Sequence, residues 1–276
     1  MLKLFSIFLL LYSIRVEAGP APFQVVIDPG HGGADEGVFL YQNGHKITEK
    51  DLTLKLAQQV AQNLRSKGIH VALTRTQDKD IPLPARTAYA NRIGADIFIS
   101  LHFNSTQHGS YRKADSIQAE GIETFILNHA TDASSKRLAH LENSVLQDHH
   151  VSKARGKIHS DRNISIILKD LRLDANRSES KQLACQLQTQ LVSRHPSSLP
   201  KRRNRGVKQA LFHVLLGADM PSALVEAGFL THPKDRTWAL SSQGMSSMSH
   251  SIAEAVLKYR YQSTHPHVAV NTCKVF

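Results

Sequence analysis

Apolar positions recur along this chain with two periods. Short β-branched runs at 25–27, 69–74, 97–101, 121–127, 208–214 and 221–225 read as six strands, most bounded by glycine, proline or polar turns. Between the first two, Leu52, Leu56, Val60 and Leu64 repeat every four residues and give one helix an apolar stripe. Thr48 stands at its start with Asp51 three residues on, and Lys67-Gly68 ends it. A shorter helix is expected over 85–93. From 131 to 191 the pattern is helical but broken: Leu138, Leu141 and Val145 form one stripe, Leu183, Leu187 and Leu191 another. Between them, 147–163 is polar, basic and rich in histidine, and His149, His150 and His159 read as solvated. Residues 235–261 are helical in two pieces.

Strands alternating with helices predict an α/β fold: a single domain with a twisted, mostly parallel six-stranded sheet flanked by helices on both faces. The expected layout is a leader over 1–18, one catalytic domain over 19–261 and a loose tail over 262–276. No internal repeat and no second domain are visible, and 276 residues suit one substantial core.

The leader changes the cellular picture. Lys3 supplies a positive start, 4–14 an apolar run too short for a comfortable span, and Val16-Glu17-Ala18 a small-residue cut. Export to the periplasm follows as the expectation. The formal net charge of +11 implies attraction to polyanions, and export selects an acidic envelope polymer over nucleic acid. Cys185 and Cys273 are not spaced as a metal pair. An oxidising compartment only permits them to bridge, and no disulfide is expected.

Chemistry gathers at strand ends. His31 lies in Asp28-Pro29-Gly30-His31-Gly32-Gly33, His102 directly follows the third strand, and Glu226 ends the sixth. In an open parallel sheet the carboxyl ends of the strands form the ligand crevice. Glu49 opens the helix after the first strand and reaches the same edge, although a carboxylate in a first helical turn is also ordinary dipole chemistry. Two imidazoles and a carboxylate suit a catalytic zinc with a position left for water, and equally a non-haem iron. One glutamate is then a ligand and the other a base; we assign Glu49 and Glu226 in that order, which spacing alone does not decide.

Four stretches resemble the zinc-dependent N-acetylmuramoyl-L-alanine amidases of cell walls. They are 28–33, Glu49-Lys50-Asp51-Leu52, Ser100-Leu101-His102-Phe103-Asn104 and 221–230, in that order. The resemblance implies Zn2+ on His31, Glu49 and His102, with Glu226 as the catalytic carboxylate. It also implies cleavage of the amide between N-acetylmuramic acid and L-alanine, in peptidoglycan or in its muropeptide and lipid-linked precursors. Arg86, Ala90-Asn91 and 205–209 match accessory stretches, for which structural and substrate roles are equally open. An activator or divisome protein is a candidate partner, nucleic acid is not, and the chain is expected to be a monomer. Two departures stand out. Phe103 replaces a small residue and is expected to reshape the groove. Segment 147–163 falls where some relatives carry a plug yet has no glutamate to act as an extra ligand, so activity without relief from a plug is expected.

Other readings start from other residues. Ser178-Glu179-Ser180-Lys181 fits the Ser-x-x-Lys pattern of serine carboxypeptidases, although it is common by chance on a helix surface. The run 201–205 could grip an anionic polymer or simply be solvated. A non-catalytic wall-binding protein on this fold, and a zinc carboxypeptidase or deacetylase, complete the set.

Overall fold

The structure, a computed structural model, describes residues 22–106, 119–144, 176–194, 196–265, 267 and 273–276. The leader and the histidine-rich piece 147–163 lie outside them. Six strands form one sheet in the order β4-β1-β5-β8-β6-β7. These are β1 (Gln24–Pro29), β4 (His70–Leu73), β5 (Ile97–Asn104), β6 (Ile122–Leu127), β7 (Asn204–Ala210) and β8 (Ser222–Phe229). All pairs are parallel except β6 with β8.

Side-chain alternation divides the core. Val25, Ile27, Ile99, Leu101, Phe103, Val225 and Ala227 pack on one face. They meet α1 (Glu49–Arg65), α4 (Arg177–Ser193), α5 (Pro233–Leu240) and α6 (Ser242–Thr264). Val26, Phe98, Phe125 and Leu224 point the other way, toward α2 (Leu83–Arg92) and α3 (Ala133–Asn143). Strands buried on both faces by helices need apolar residues at consecutive positions, which is why they read as continuous runs. Phe103 therefore lies in the core beneath α1 and does not reshape a groove, contrary to expectation.

Three elements differ from the sequence reading. A hairpin of β2 (Phe39–Gln42) and β3 (His45–Thr48) precedes α1, turned by Asn43-Gly44 with both φ angles positive. Strand β7 begins at Asn204 and stops at Ala210; Phe212 and Val214 are apolar because they pack beneath the sheet in a turn. The tail is pinned. Helix α6 runs through Thr264, Cys185 is bridged to Cys273 across 88 residues, Val275 pairs with Val207, and Phe276 N–H donates to Val207 C=O at 2.9 Å. The bridge corrects the expectation of none: helix α4 and edge strand β7 bring both cysteines to one place.

That bridge closes a long loop and so restricts the unfolded chain. Cys185→Ser with Cys273→Ser is expected to cost about 2–4 kcal/mol, read as a lower denaturant midpoint with an otherwise native circular dichroism spectrum. No change in midpoint would mean the tail adds no stability.

Candidate metal centre

The β1 loop is held by two buried arginines. Arg86 Nη1 donates to Asp28 Oδ1 at 3.0 Å and to Pro29 C=O at 2.9 Å, and its Nη2 donates to His31 C=O at 3.0 Å. Arg75 Nη2 donates to Gly30 C=O at 2.8 Å and to Lys50 C=O at 2.7 Å. Asp28 also accepts from Ser100 Oγ at 2.8 Å, so this carboxylate belongs to the scaffold. Arg86 accordingly has a structural part. So does Asn91, which donates to Gly217 C=O and accepts from Asp219 N–H.

Held this way, His31 adopts a left-handed backbone (φ 61°), a conformation L residues seldom take without surrounding restraint. Its Nδ1 meets Asp35 Oδ2 at 2.8 Å, which fixes the ring and leaves Nε2 facing inward. His102 ends up against Gly30, where any Cβ would overlap its imidazole. The two rings lie edge to face, centroids 4.8 Å apart.

Glu49 sits wholly buried at the first residue of α1. Thr48 Oγ1 bonds Asp51 at 2.5 Å and does not cap the backbone. Glu49 Oε2 accepts from Val38 N–H at 2.9 Å, and Oε1 from Phe103 N–H at 2.9 Å. Oε1 then stands 3.1 Å from His31 Nε2 and 3.1 Å from His102 Nδ1.

A fourth residue joins them. Glu142, at the end of α3, places Oε2 3.5 Å from His31 Nε2 and 3.1 Å from His102 Nδ1. All four donor atoms lie within 4.8 Å of one another. Segment 147–163 itself carries no glutamate; the extra carboxylate comes from five residues before it, on α3. Sequence reasoning missed it, yet a signal was present. Glu142 falls four residues after Leu138 and beside Leu141, a charge on the apolar face of its helix.

The donor set fits a divalent ion. Tetrahedral ligands at roughly 2.0–2.1 Å from zinc stand about 3.3 Å apart, close to the separations of 3.1 to 3.5 Å found here. His31 Nε2 is buried with no hydrogen-bond partner among the described residues, the condition of an atom shaped for a ligand.

Glu226 lies alongside. It is the register partner of His102 on β8, fully buried, and neither carboxyl oxygen has a hydrogen-bond partner among the described residues. Burial pushes its carboxyl well above the usual range, against the pull of His102.

Without a metal, the ligands charge one another. Burial lowers both imidazoles, but the neighbouring glutamates outweigh it: His31 is raised well above 6.5 and His102 to about 10. Glu49, despite burial, is held well below its usual 4.5 by the two histidines. A raised histidine stabilises the fold below pH 6.5 and loses that contribution as pH rises toward 10. A depressed carboxylate stabilises above 4.5 and loses its contribution as pH falls. The metal-free protein is therefore expected to be most stable between about pH 4.5 and 6.5 and to weaken toward pH 10. Metal binding at pH 7.5 should release about two protons, because ligating imidazoles are neutral. Titration calorimetry in buffers of different ionisation enthalpy reads the proton count, and zero release would contradict the charge state deduced here.

Two other candidates are placed elsewhere. Ser178 and Lys181 are exposed at the first turn of α4, and Ser180 Oγ accepts from Ser222 N–H at the opposite end of β8 from Glu226. Nothing brings the Ser-x-x-Lys pair to the crevice. The run 201–205 is not one solvated stripe either. Lys201 and Arg203 are exposed, whereas Arg202 is buried over Trp238 and donates to Ala227 C=O.

A sequence model described as N-acetylmuramoyl-L-alanine amidase matches residues 25–258. The amidase AmiA of Escherichia coli K12 is 31% identical over 237 residues, covering 85% of this chain and 75% of that protein. AmiC of Neisseria meningitidis is 30% identical, covering 85% of this chain and 52% of that one. The crystal structure of an N-acetylmuramoyl-L-alanine amidase from Clostridium difficile 630 superposes with a TM-score of 0.60 at 29% identity, over 87% of this chain and 97% of that chain. AmiC2 of Nostoc punctiforme gives 0.58 at 26% identity, over 87% and 97%. Sequence and backbone agree from the first strand into the last helix: the chain belongs to the N-acetylmuramoyl-L-alanine amidase family.

Proposed function

We propose that this protein hydrolyses the amide between N-acetylmuramic acid and L-alanine in peptidoglycan, with His31, Glu49 and His102 holding Zn2+ and Glu226 moving the proton. The observation that carries this reading is the meeting of three buried donor atoms, one of them unpartnered, directly beside a buried carboxylate with no partner of its own. Bound there, zinc would supply Lewis acidity toward the scissile carbonyl and the attacking water. Glu226 would take the proton from the attacking water and pass it to the leaving amine. A carboxyl whose affinity for protons is raised by burial is suited to both halves of the transfer. Asp35 keeps His31 in the tautomer that offers Nε2, and the amides of Val38 and Phe103 keep Glu49 aimed at the same point.

Glu142 gives this site a resting state. Its carboxylate converges on the same point as the other three donors and would compete there with substrate and water, and a protein that draws α3 aside would remove it. An activator acting on this helix is thus the regulatory partner we assign. Export to the periplasm completes the reading, because the substrate lies outside the cytoplasm.

Mass analysis of a defined muropeptide after incubation tests the activity. Free stem peptide beginning with L-alanine is expected, abolished by chelator and restored by zinc. Release of D-alanine or acetate would replace this reading with a carboxypeptidase or a deacetylase.

A further inference from the structure

Past Glu226, on the β6–β7 side of the same sheet edge, a cavity of about 700 Å³ opens beneath α3, a size typical of ligand pockets. Asn104, Glu123, Phe125, Arg137, Arg205 and Phe229 are among its lining residues. It adjoins the candidate centre through three strands. Asn104 follows His102 on β5, Phe229 follows Glu226 on β8, and Glu123 is the register partner of Glu226 on β6.

The charges here do not cancel. Arg205 Nε donates to Glu123 Oε1 at 2.6 Å, and Lys208 Nζ donates to the same oxygen at 2.7 Å. Asn104 Nδ2 donates to the other carboxylate oxygen at 3.1 Å. One carboxylate thus faces two cations, and Arg137 adds a third to the lining. The backbone explains why both cations meet Glu123. In a regular strand residues 205 and 208 would point to opposite faces, but the β6–β7 register slips between Ile122 and Thr124 while Gly206 takes a φ of +83°. The bulge turns both side chains to one side.

Arg205 is planted and only partly used. Its guanidinium lies over the Phe229 ring, 5.1 Å from the centroid, and its Nε is held by Glu123. Among the described residues its two terminal nitrogens make no hydrogen bond. A planar fork fixed on two sides, with terminal N–H groups unspent over a partly apolar cavity, matches the geometry of a carboxylate.

We propose that Arg205 binds a free carboxylate of the stem peptide beyond its L-alanine, making this cavity the peptide subsite of the enzyme. The assignment rests on the amidase reading for the identity of the ligand. Glu123, Lys208 and Phe229 act as positioning residues. Helix α3 both roofs the cavity and carries Glu142, so the subsite and the fourth donor share one element.

The test compares N-acetylmuramoyl-L-alanyl-D-glutamate with its diamide, in zinc-loaded protein carrying Glu142→Ala. A charged hydrogen-bonded pair predicts kcat/KM roughly tenfold or more higher for the acid, chiefly through KM. Arg205→Ala should erase that preference by slowing the acid alone, and Arg205→Lys should keep part of it. Equal rates on both compounds without the Arg205 change, or an equal loss on both with it, would overturn the assignment. Calorimetric binding of the two compounds to zinc-loaded Glu226→Gln protein provides a readout free of turnover. Preferential binding of the acid that vanishes in Arg205→Ala, without hydrolysis of either compound by the active-site-intact protein, would support the subsite and sink the amidase reading instead.

Discussion

Replacing Glu142 with alanine is expected to raise the release of stem peptides from sacculi about tenfold or more, in purified protein with no partner present. The magnitude follows from the contact removed. A carboxylate bound to charged groups contributes about 1.5–3 kcal/mol, and each 1.4 kcal/mol is a factor of ten in occupancy. Glu142 meets His102 at 3.1 Å and His31 at 3.5 Å while only 12% of its side chain is exposed, so little solvent screens it. His31, Glu49 and His102 remain after the change, and metal content should not fall. Glu142→Gln should give an intermediate gain, because an amide oxygen is a weaker ligand. An unchanged rate in fully metal-loaded protein would mean that the fourth donor places no check on the enzyme.

Glu226→Gln is expected to act in the opposite direction, lowering turnover by about 10²–10⁴-fold, the contribution of a positioned general acid–base group. Metal content should be unaffected, since Glu226 is not among the four converging donors. Stability should hold or rise. The carboxyl is fully buried without partners and resists ionisation, so a raised folded pKa means its contribution is lost as pH climbs above 4.5. A neutral amide of the same shape avoids that cost. Retained activity would remove Glu226 from the mechanism, and a wall-binding protein on this fold would show no change in ligand affinity.

These two glutamates differ in how visible they were. Glu226 ends an apolar run, and strand ends in a parallel sheet point to the crevice whatever the other strands do. His31 and His102 share that property, and Glu49 follows from its place at the head of the first long helix. Glu142 has no such mark beyond a charge on an apolar helical face, and its meaning depends on where α3 docks. The β2–β3 hairpin was written in Asn43-Gly44, a signal present in the chain but obscured by short, exposed strands. Strand β7 was displaced because packing beneath the sheet makes Phe212 and Val214 apolar without any strand there.

By itself the sequence determined what is local: the periods of its helices and strands, the two-sided burial of the sheet, and the glycine-rich turn around His31. Tertiary structure decided what depends on strand order and docking: the fourth donor from Glu142, the Cys185–Cys273 bridge, the burial of Phe103, and the pairing of Arg205 and Lys208 on Glu123. Periodicity reports which face of an element is buried. It carries no information about which distant side chain that face will meet, because that choice is made by packing between whole elements.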